Sequence, residues 1–449
     1  MDNENIKISV FGLGHMGLPT AALFAKSGIS VIGVARNKDK IEMINNGKSP
    51  VVETGLDKLV HEAVEMGNLM ATDDGNWAAK NSQVMIVIVP TPIDEFMKAD
   101  LSAVKSVCNT ISEGLKKDDL VIIESTVPPR ACDEIIKPLL EKNGLIAGKD
   151  FGLAYTPERA IPNSTIYEMS YNARVIGGIN DKSTSFAVSL YKKFTKGKII
   201  KVKDMVTAET IKLMENIYRD TNIALANELA LICESIGVDA INAINAANYH
   251  PRVNIHTPGP GVGGHCLSID PYFLVEMADE CGVDAALIKT ARNINNKMPD
   301  HVTKLVIEGL IKLDKNIEGS KIGILGISYK GDVADVRETP AKYLMDNLKA
   351  LGASLYVHDP YVSKEVILSF NAKKVTLEEA LSCDCLILLS DHEQYKIITP
   401  EMVKSELFVC TRPILNPEYF LNKGVLFIGV GRDNKNTALF NSDNQIEIV

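Results

Sequence analysis

Cys266 follows a run, Pro258-Gly259-Pro260-Gly261-Val262-Gly263-Gly264, that holds four glycines and two prolines in seven residues. Neither a helix interior nor a strand interior tolerates that composition. The run reads as a loop whose bare backbone, at Gly261 and Gly263 among others, can approach a ligand. The cysteine then falls at an expected helix start, where the dipole raises the thiolate fraction and suits covalent catalysis. The other seven cysteines, at 108, 132, 233, 281, 383, 385 and 410, lack this setting and read as inert. No CxxC pair with zinc-like spacing occurs, so no metal site is expected. His265 points elsewhere on a helix, whereas Asp270, four residues on, shares a face with Cys266 if the segment is helical. A carboxylate there can handle protons or position water.

A second cluster, Lys212, Asn216 and Arg219, runs along one stripe of an expected long helix. A cation and an amide donor projecting side by side suit a developing oxyanion. The third feature is Gly12-Leu13-Gly14-His15-Met16-Gly17, set directly between an apolar strand and an amphipathic helix. Gly12 permits the tight turn, Gly14 lets backbone approach a pyrophosphate, and Gly17 packs helix on strand. The helix N-terminus favours an anion, so the turn predicts a dinucleotide. One customary element is missing. The second strand ends Gly33-Val34-Ala35-Arg36-Asn37, with Ala35 where NAD-selective folds carry an acid for the ribose 2′-hydroxyl. Arg36 either faces solvent or receives a 2′-phosphate, which leaves NADP open beside NAD.

The elements that must hold these groups follow from the apolar pattern. Ile6 to Phe11, Ser30 to Val34, Gln83 to Val89, Leu120 to Glu124 and Gly152 to Tyr155 read as buried strands alternating with helices, hence a parallel sheet covered on both faces. Ala208 to Ile236 keeps helical spacing without glycine or proline, a helix of about 40 Å that would link domains and carry a dimer contact. Lys321 to Leu325, Ser354 to His358, Cys385 to Leu389, Leu407 to Val409 and Val425 to Ile428 form a second alternating set. The expected architecture is α/β: two Rossmann-like doubly wound domains joined by a long central helix and a helical middle domain. The boundaries are 1–204 for the dinucleotide domain, 205–316 for the helical domain with the cysteine, and 317–449 for the C-terminal domain.

A formal net charge of −9 over 449 residues argues against a nucleic-acid binder, which needs a basic face. No apolar run approaches the ~20 residues that span a bilayer. Met1 to Lys7 is too polar for a secretion signal, so a cytoplasmic protein with no membrane partner is expected.

The order of these motifs resembles the UDP-glucose/GDP-mannose dehydrogenase family over nearly the whole chain. His250-Pro251-Arg252-Val253-Asn254, Arg219-Asp220-Thr221-Asn222, Pro157-Glu158-Arg159 and Ser390-Asp391-His392 carry the likeness beside the cysteine loop. The resemblance implies an NAD(P)-dependent enzyme that oxidises the primary alcohol of a nucleotide sugar to a carboxylate, removing four electrons through a Cys266 thioester. UDP-N-acetyl-D-mannosamine is the expected substrate, with UDP-N-acetylglucosamine, UDP-glucose and GDP-mannose as alternatives. A two-electron alcohol dehydrogenase would not need Cys266, and a dinucleotide-binding module without chemistry would need none of the set.

The same resemblance implies roles residue by residue. Lys212 and Asn216 stabilise the oxyanion and contact substrate; Asp270, Glu158 and Thr126 manage protons and the hydrolytic water. Arg159, Arg252, Gly261, Gly263 and Lys330 bind substrate, Arg252 across a homodimer or homotetramer interface. Met16, Pro90, Thr91, Thr126 and Arg337 join Gly12, Gly14, Gly17 and Arg36 around the cofactor. Ala35, Ala173, Cys410 and Asn163 depart from the family pattern, and only the first touches cofactor choice.

Overall fold

The computed structural model describes residues 6–434. Two compact units account for them: residues up to Glu215 with Tyr272–Val283, and Asn216–Pro271 with the residues from Asp284 onward.

The first unit is built on eight strands: β1 (Lys7–Phe11), β2 (Ser30–Val34), β3 (Leu69–Thr72), β4 (Val84–Val87), β5 (Leu120–Ile123), β6 (Gly152–Tyr155), β7 (Arg174–Gly178) and β8 (Ile199–Lys201). Their order is β3-β2-β1-β4-β5-β6-β7-β8, with β6 and β7 the one antiparallel pair. The first six positions have the doubly wound order that places ligands beyond the carboxyl ends of the strands. Alternation divides the core. Ile8, Val10, Val84, Ile86, Leu120 and Ile122 pack on one face, while Phe11, Met85, Val87, Val121 and Ile123 pack on the other.

The second unit repeats the plan with six parallel strands: β9 (Lys321–Leu325), β10 (Ser354–His358), β11 (Lys373–Lys374), β12 (Cys385–Leu388), β13 (Leu407–Cys410) and β14 (Leu426–Gly429). Their order is β11-β10-β9-β12-β13-β14. Both units are Rossmann-like.

The long helix runs from Met205 to Ile236, three residues longer at its start than its apolar spacing predicts. Four strands escape the sequence pattern. β3 alternates buried and exposed residues, β7 opens on a buried arginine, and β8 and β11 are edge strands of three and two residues.

Candidate active site

The glycine turn sits at the carboxyl end of β1. Gly12 has φ +103°, and a Cβ there would fall 2.0 Å from the Ile88 carbonyl oxygen; one at Gly17 would fall 1.8 Å from that of Gly12. Neither can be another residue. A Cβ at Gly14 would meet nothing within 4 Å, so this glycine leaves open space rather than filling a contact. The helix Gly17–Lys26 starts with no side-chain cap from Met16 and no acid in its first turn. Of the N–H groups in its first turn, that of Leu18 donates to the Gly14 carbonyl at 3.1 Å and Pro19 has none, so the Gly17 N–H and the helix dipole are what an anion meets, and the site fits a dinucleotide pyrophosphate.

Parallel register brings other predicted residues to the same sheet edge. Phe11 pairs with both Val34 and Val87, and Val87 with Ile123. Ala35 and Arg36, the turn at Gly12, the Val89-Pro90-Thr91 stretch and Ser125-Thr126 thus all leave adjacent strand ends. Ser125 ties two of these loops together: its hydroxyl accepts from the Val89 N–H at 2.8 Å and donates to the Val89 carbonyl at 2.8 Å.

Sequence reasoning missed how the Thr126 loop is fixed. Glu209, on the long helix and fully buried, accepts from the backbone N–H of Arg130 at 2.7 Å and of Cys132 at 2.9 Å. Arg130 has φ +71°, a strained geometry for a side-chain-bearing residue that this carboxylate helps hold. Burial pushes the Glu209 pKa up to about 7, against the two backbone bonds that lower it. The folded protein therefore holds this proton more tightly than the unfolded chain. The stabilisation is complete below the ordinary glutamate value and is lost as pH rises through about 7. Urea unfolding from pH 4.5 to 7 should show a decline that is shallower in Glu209→Gln, by about 3 kcal/mol at most. Parallel curves for the two proteins would rule Glu209 out as the group responsible.

Glu158 and Arg159 follow β6. The Glu158 carboxylate accepts from the N–H groups of Arg159 and Ala160 at 2.6 and 2.7 Å, and its other oxygen pairs with Arg174 at 3.0 Å. Arg159 grips Glu215 at 2.7 Å and donates to the Ala173 carbonyl at 2.7 Å. Lys212 is only 8% exposed, yet its ammonium pairs with no carboxylate among the described residues. A lysine buried in that way suits a negative charge that arrives with a ligand.

In the second unit, Asn216 is buried and donates its amide to the Asp270 carboxylate, while Arg219 donates to the Asn216 carbonyl oxygen. Cys266 lies in a turn just ahead of the helix Asp270–Glu280, not at its first residue as expected. The turn is nonetheless helical in its bonding. The Cys266 carbonyl accepts from Ile269 N–H at 3.1 Å and Asp270 N–H at 2.8 Å. The thiol and the Asp270 carboxylate therefore belong to one turn. Arg337 and Tyr329 lie close enough to Cys266 for its charge to act on both. Arg337 also forks onto Asp335 at 2.9 and 2.5 Å. Lys330 and Arg252 are exposed.

The glycine loop is packed against protein along one side. A Cβ on Gly261 would lie 3.0 Å from the Asn295 carbonyl, one on Gly263 2.7 Å from the Glu338 carbonyl, and one on Gly264 2.9 Å from the Tyr329 ring. Its start is fastened by a buried relay. Asn227 accepts from the Gly259 N–H at 2.9 Å and donates to Asn295 at 2.9 Å; Asn295 donates to Asp220 at 2.8 Å, and Arg292 pairs with Asp220 at 2.6 Å. A signal for this relay was present. Asn216, Asp220 and Asn227, spaced by four and seven, put polar groups on the buried stripe of an otherwise apolar helix. Among the remaining cysteines, burial pushes the thiols of Cys383 and Cys410 up to about 11 and that of Cys108 to about 12.

A Rossmann sheet with an uncapped glycine turn defines a dinucleotide-binding protein, and comparison with known proteins narrows the class. The chain matches three models of the UDP-glucose/GDP-mannose dehydrogenase family: its NAD binding domain over residues 6–195, its central domain over 206–297 and its UDP binding domain over 323–417. The chain belongs to that family. It is 40% identical over 439 residues to a UDP-N-acetyl-D-mannosamine dehydrogenase of Methanococcus aeolicus, covering 95% of this chain and 96% of the relative. It is 41% identical over 425 residues to the enzyme of the same name from Methanococcus maripaludis, covering 94% and 93%. The solved UDP-D-ManNAc dehydrogenase of Pyrococcus horikoshii superposes with a TM-score of 0.88 at 38% identity, over 96% of this chain and all of that one. The chain is thus an NAD(P)-dependent enzyme. No described helix is long and apolar enough to cross a membrane, and no described cluster of His, Cys, Asp and Glu could hold a metal ion.

Proposed function

We propose that this protein oxidises the C6 alcohol of UDP-N-acetyl-D-mannosamine to the carboxylate through a thioester on Cys266. The observation that carries the proposal is the single turn in which the Cys266 carbonyl is bonded to the Asp270 N–H while the Asp270 carboxylate accepts from Asn216. Nucleophile, water-handling carboxylate and amide donor are held together by that turn. The names of the relatives above support the choice of sugar.

A dinucleotide bound at the glycine turn supplies a hydride acceptor for each of the two oxidations. The first oxidation leaves an aldehyde, which the Cys266 thiolate captures before it can leak, forming a C–S bond and an oxyanion. Lys212 and the second N–H of the Asn216 amide stabilise that oxyanion, each by on the order of 3 kcal/mol if comparable to a measured oxyanion donor. The second oxidation converts the thiohemiacetal to the thioester. Water, positioned by Asp270, Glu158 or Thr126, then cleaves the C–S bond and gives up its proton to a carboxylate, and Cys266 leaves as thiolate.

The assembly in this reading is a homodimer working in the cytoplasm, where its eight thiols stay reduced. Tyr218, Leu225 and Ile232, spaced by seven on the long helix and 46–56% exposed, supply an apolar stripe for the contact.

Supplying UDP-N-acetyl-D-mannosamine, UDP-N-acetylglucosamine, UDP-glucose and GDP-mannose in turn tests the assignment. The first should be consumed fastest, with two reduced dinucleotides per uronate formed. One reduced dinucleotide per sugar, with aldehyde as the end product, would remove the thioester from the scheme.

A further inference from the structure

We propose that the adenosine-ribose subsite of the first unit is built for a 2′-phosphate, so that the chain takes NADP in preference to NAD, with Arg36 as the deciding residue. The inference rests on the dinucleotide reading of the glycine turn and specifies which dinucleotide.

The subsite is located by backbone bonds. Gly12 N–H donates to the Val34 carbonyl at 2.9 Å, so β2 ends directly beside the glycine turn and Ala35 and Arg36 are the first residues beyond it. A dinucleotide whose pyrophosphate meets the helix Gly17–Lys26 lays its adenosine ribose over that strand end. Selection for NAD there needs a carboxylate that accepts from the ribose 2′-hydroxyl and repels a phosphate in its place. Ala35 offers neither. Its side chain packs half-buried against the apolar core, and its N–H is committed to the Thr72 carbonyl at 3.0 Å.

The cations at the site are unspent. Arg36 is exposed, and its guanidinium makes no hydrogen bond or ion pair with any described residue. Lys38 and Lys40 are likewise exposed, with no ion pair to a described residue. The turn that carries them is fixed, because the Asn37 side chain accepts from the Lys40 N–H at 3.0 Å and caps the helix Lys38–Asn45. The nearby acids do not answer these charges. Asp74 is occupied in capping Trp77 N–H at 2.8 Å, and neither Asp39 nor Asp73 pairs with Arg36. A guanidinium fork presents two parallel N–H groups to phosphate oxygens, and an ammonium one turn away adds a second charge. A hydroxyl gives such a pair little to hold.

Calorimetric titration of the full chain with NADP⁺, NAD⁺ and adenosine 2′,5′-bisphosphate provides the test, with no sugar present. NADP⁺ should bind at least about tenfold more tightly than NAD⁺, the scale of one charge-assisted hydrogen bond, and the bisphosphate should compete with it. Arg36→Ala should shrink the ratio of the two dissociation constants about tenfold, and Ala35→Asp combined with Arg36→Ile should invert it. Equal or tighter binding of NAD⁺ by the unaltered chain would overturn the proposal, as would an Arg36→Ala protein that weakens both alike. If NAD⁺ binds better and the sugar is still oxidised with it, only the 2′-phosphate subsite falls. If neither dinucleotide binds, the assigned reaction falls as well.

Discussion

Cys266→Ser should lower the rate of carboxylate formation by roughly a thousandfold or more, while the protein still folds and binds dinucleotide. The size follows from what sulfur does twice in the proposed route. As a thiolate it adds to the aldehyde near neutral pH, where a serine hydroxyl keeps its proton. As a leaving group it departs from a thioester far more readily than an alkoxide departs from an ester. A serine enzyme should therefore stall before hydrolysis: either aldehyde persists with one dinucleotide reduced per sugar, or a stable serine ester persists with two. Stopped-flow absorbance at the reduced-nicotinamide band, with mass spectrometry of the quenched protein, reads both quantities. Uronate appearing at the native rate would mean that Cys266 forms no covalent bond in turnover. Local structure favours a clean comparison, because Cys266 is only partly buried and its carbonyl is bonded to the N–H groups of Ile269 and Asp270. Exchanging sulfur for oxygen leaves those backbone bonds in place.

How far such a site can be read without coordinates depends on the range of the interactions that make it. The glycine turn was legible because its spacing answers a local demand. Gly12 turns the chain at φ +103°, and Gly17 must pass the Gly12 carbonyl five residues back. The central strands were legible because both their faces are buried, which leaves unbroken apolar runs such as Val84–Val87 and Leu120–Ile123. Edge strands carry no such signal, and β8, with two of its three residues exposed, reads as loop. Cys266 stood out through its glycine context, but the exact start of the helix after it did not, since the same bonding pattern begins a turn earlier. Least visible were the groups that hold the site from a distance. Glu209 meets Arg130 and Cys132 from 79 and 77 residues away, and Asn227 meets Asn295 across 68. Each is an ordinary polar residue until its partner is known.

Arg174 is the strongest instance of that hidden class, and its removal should be the most damaging substitution in the first unit. A buried arginine opening a strand looks like an error of pattern until its surroundings are counted. Its side chain is 5% exposed, lies 3.0 Å from Glu158 and 3.7 Å from Glu124, and stacks over the Tyr191 ring at 4.4 Å. Tyr191 in turn donates its hydroxyl to Glu124. Burial raises the Glu124 pKa, Arg174 opposes that shift, and Glu158 adds to it. Arg174→Met would keep much of the volume and leave two buried carboxyls facing each other without a counter-charge. Breaking such a pair costs about 3–5 kcal/mol, because the abandoned charge cannot regain water. The sign of the pH dependence separates this cause from lost packing. Either carboxyl can relieve the strain by taking up a proton, so the folded mutant binds protons more tightly than the unfolded chain and its stability falls as pH rises. The deficit relative to the native protein, measured by urea unfolding, should be distinctly smaller at pH 5 than at pH 8. A loss of equal size at both would assign the role of Arg174 to packing against Tyr191, and a loss below about 1 kcal/mol would mean that water reaches the carboxyls and the cluster is not an ionic one.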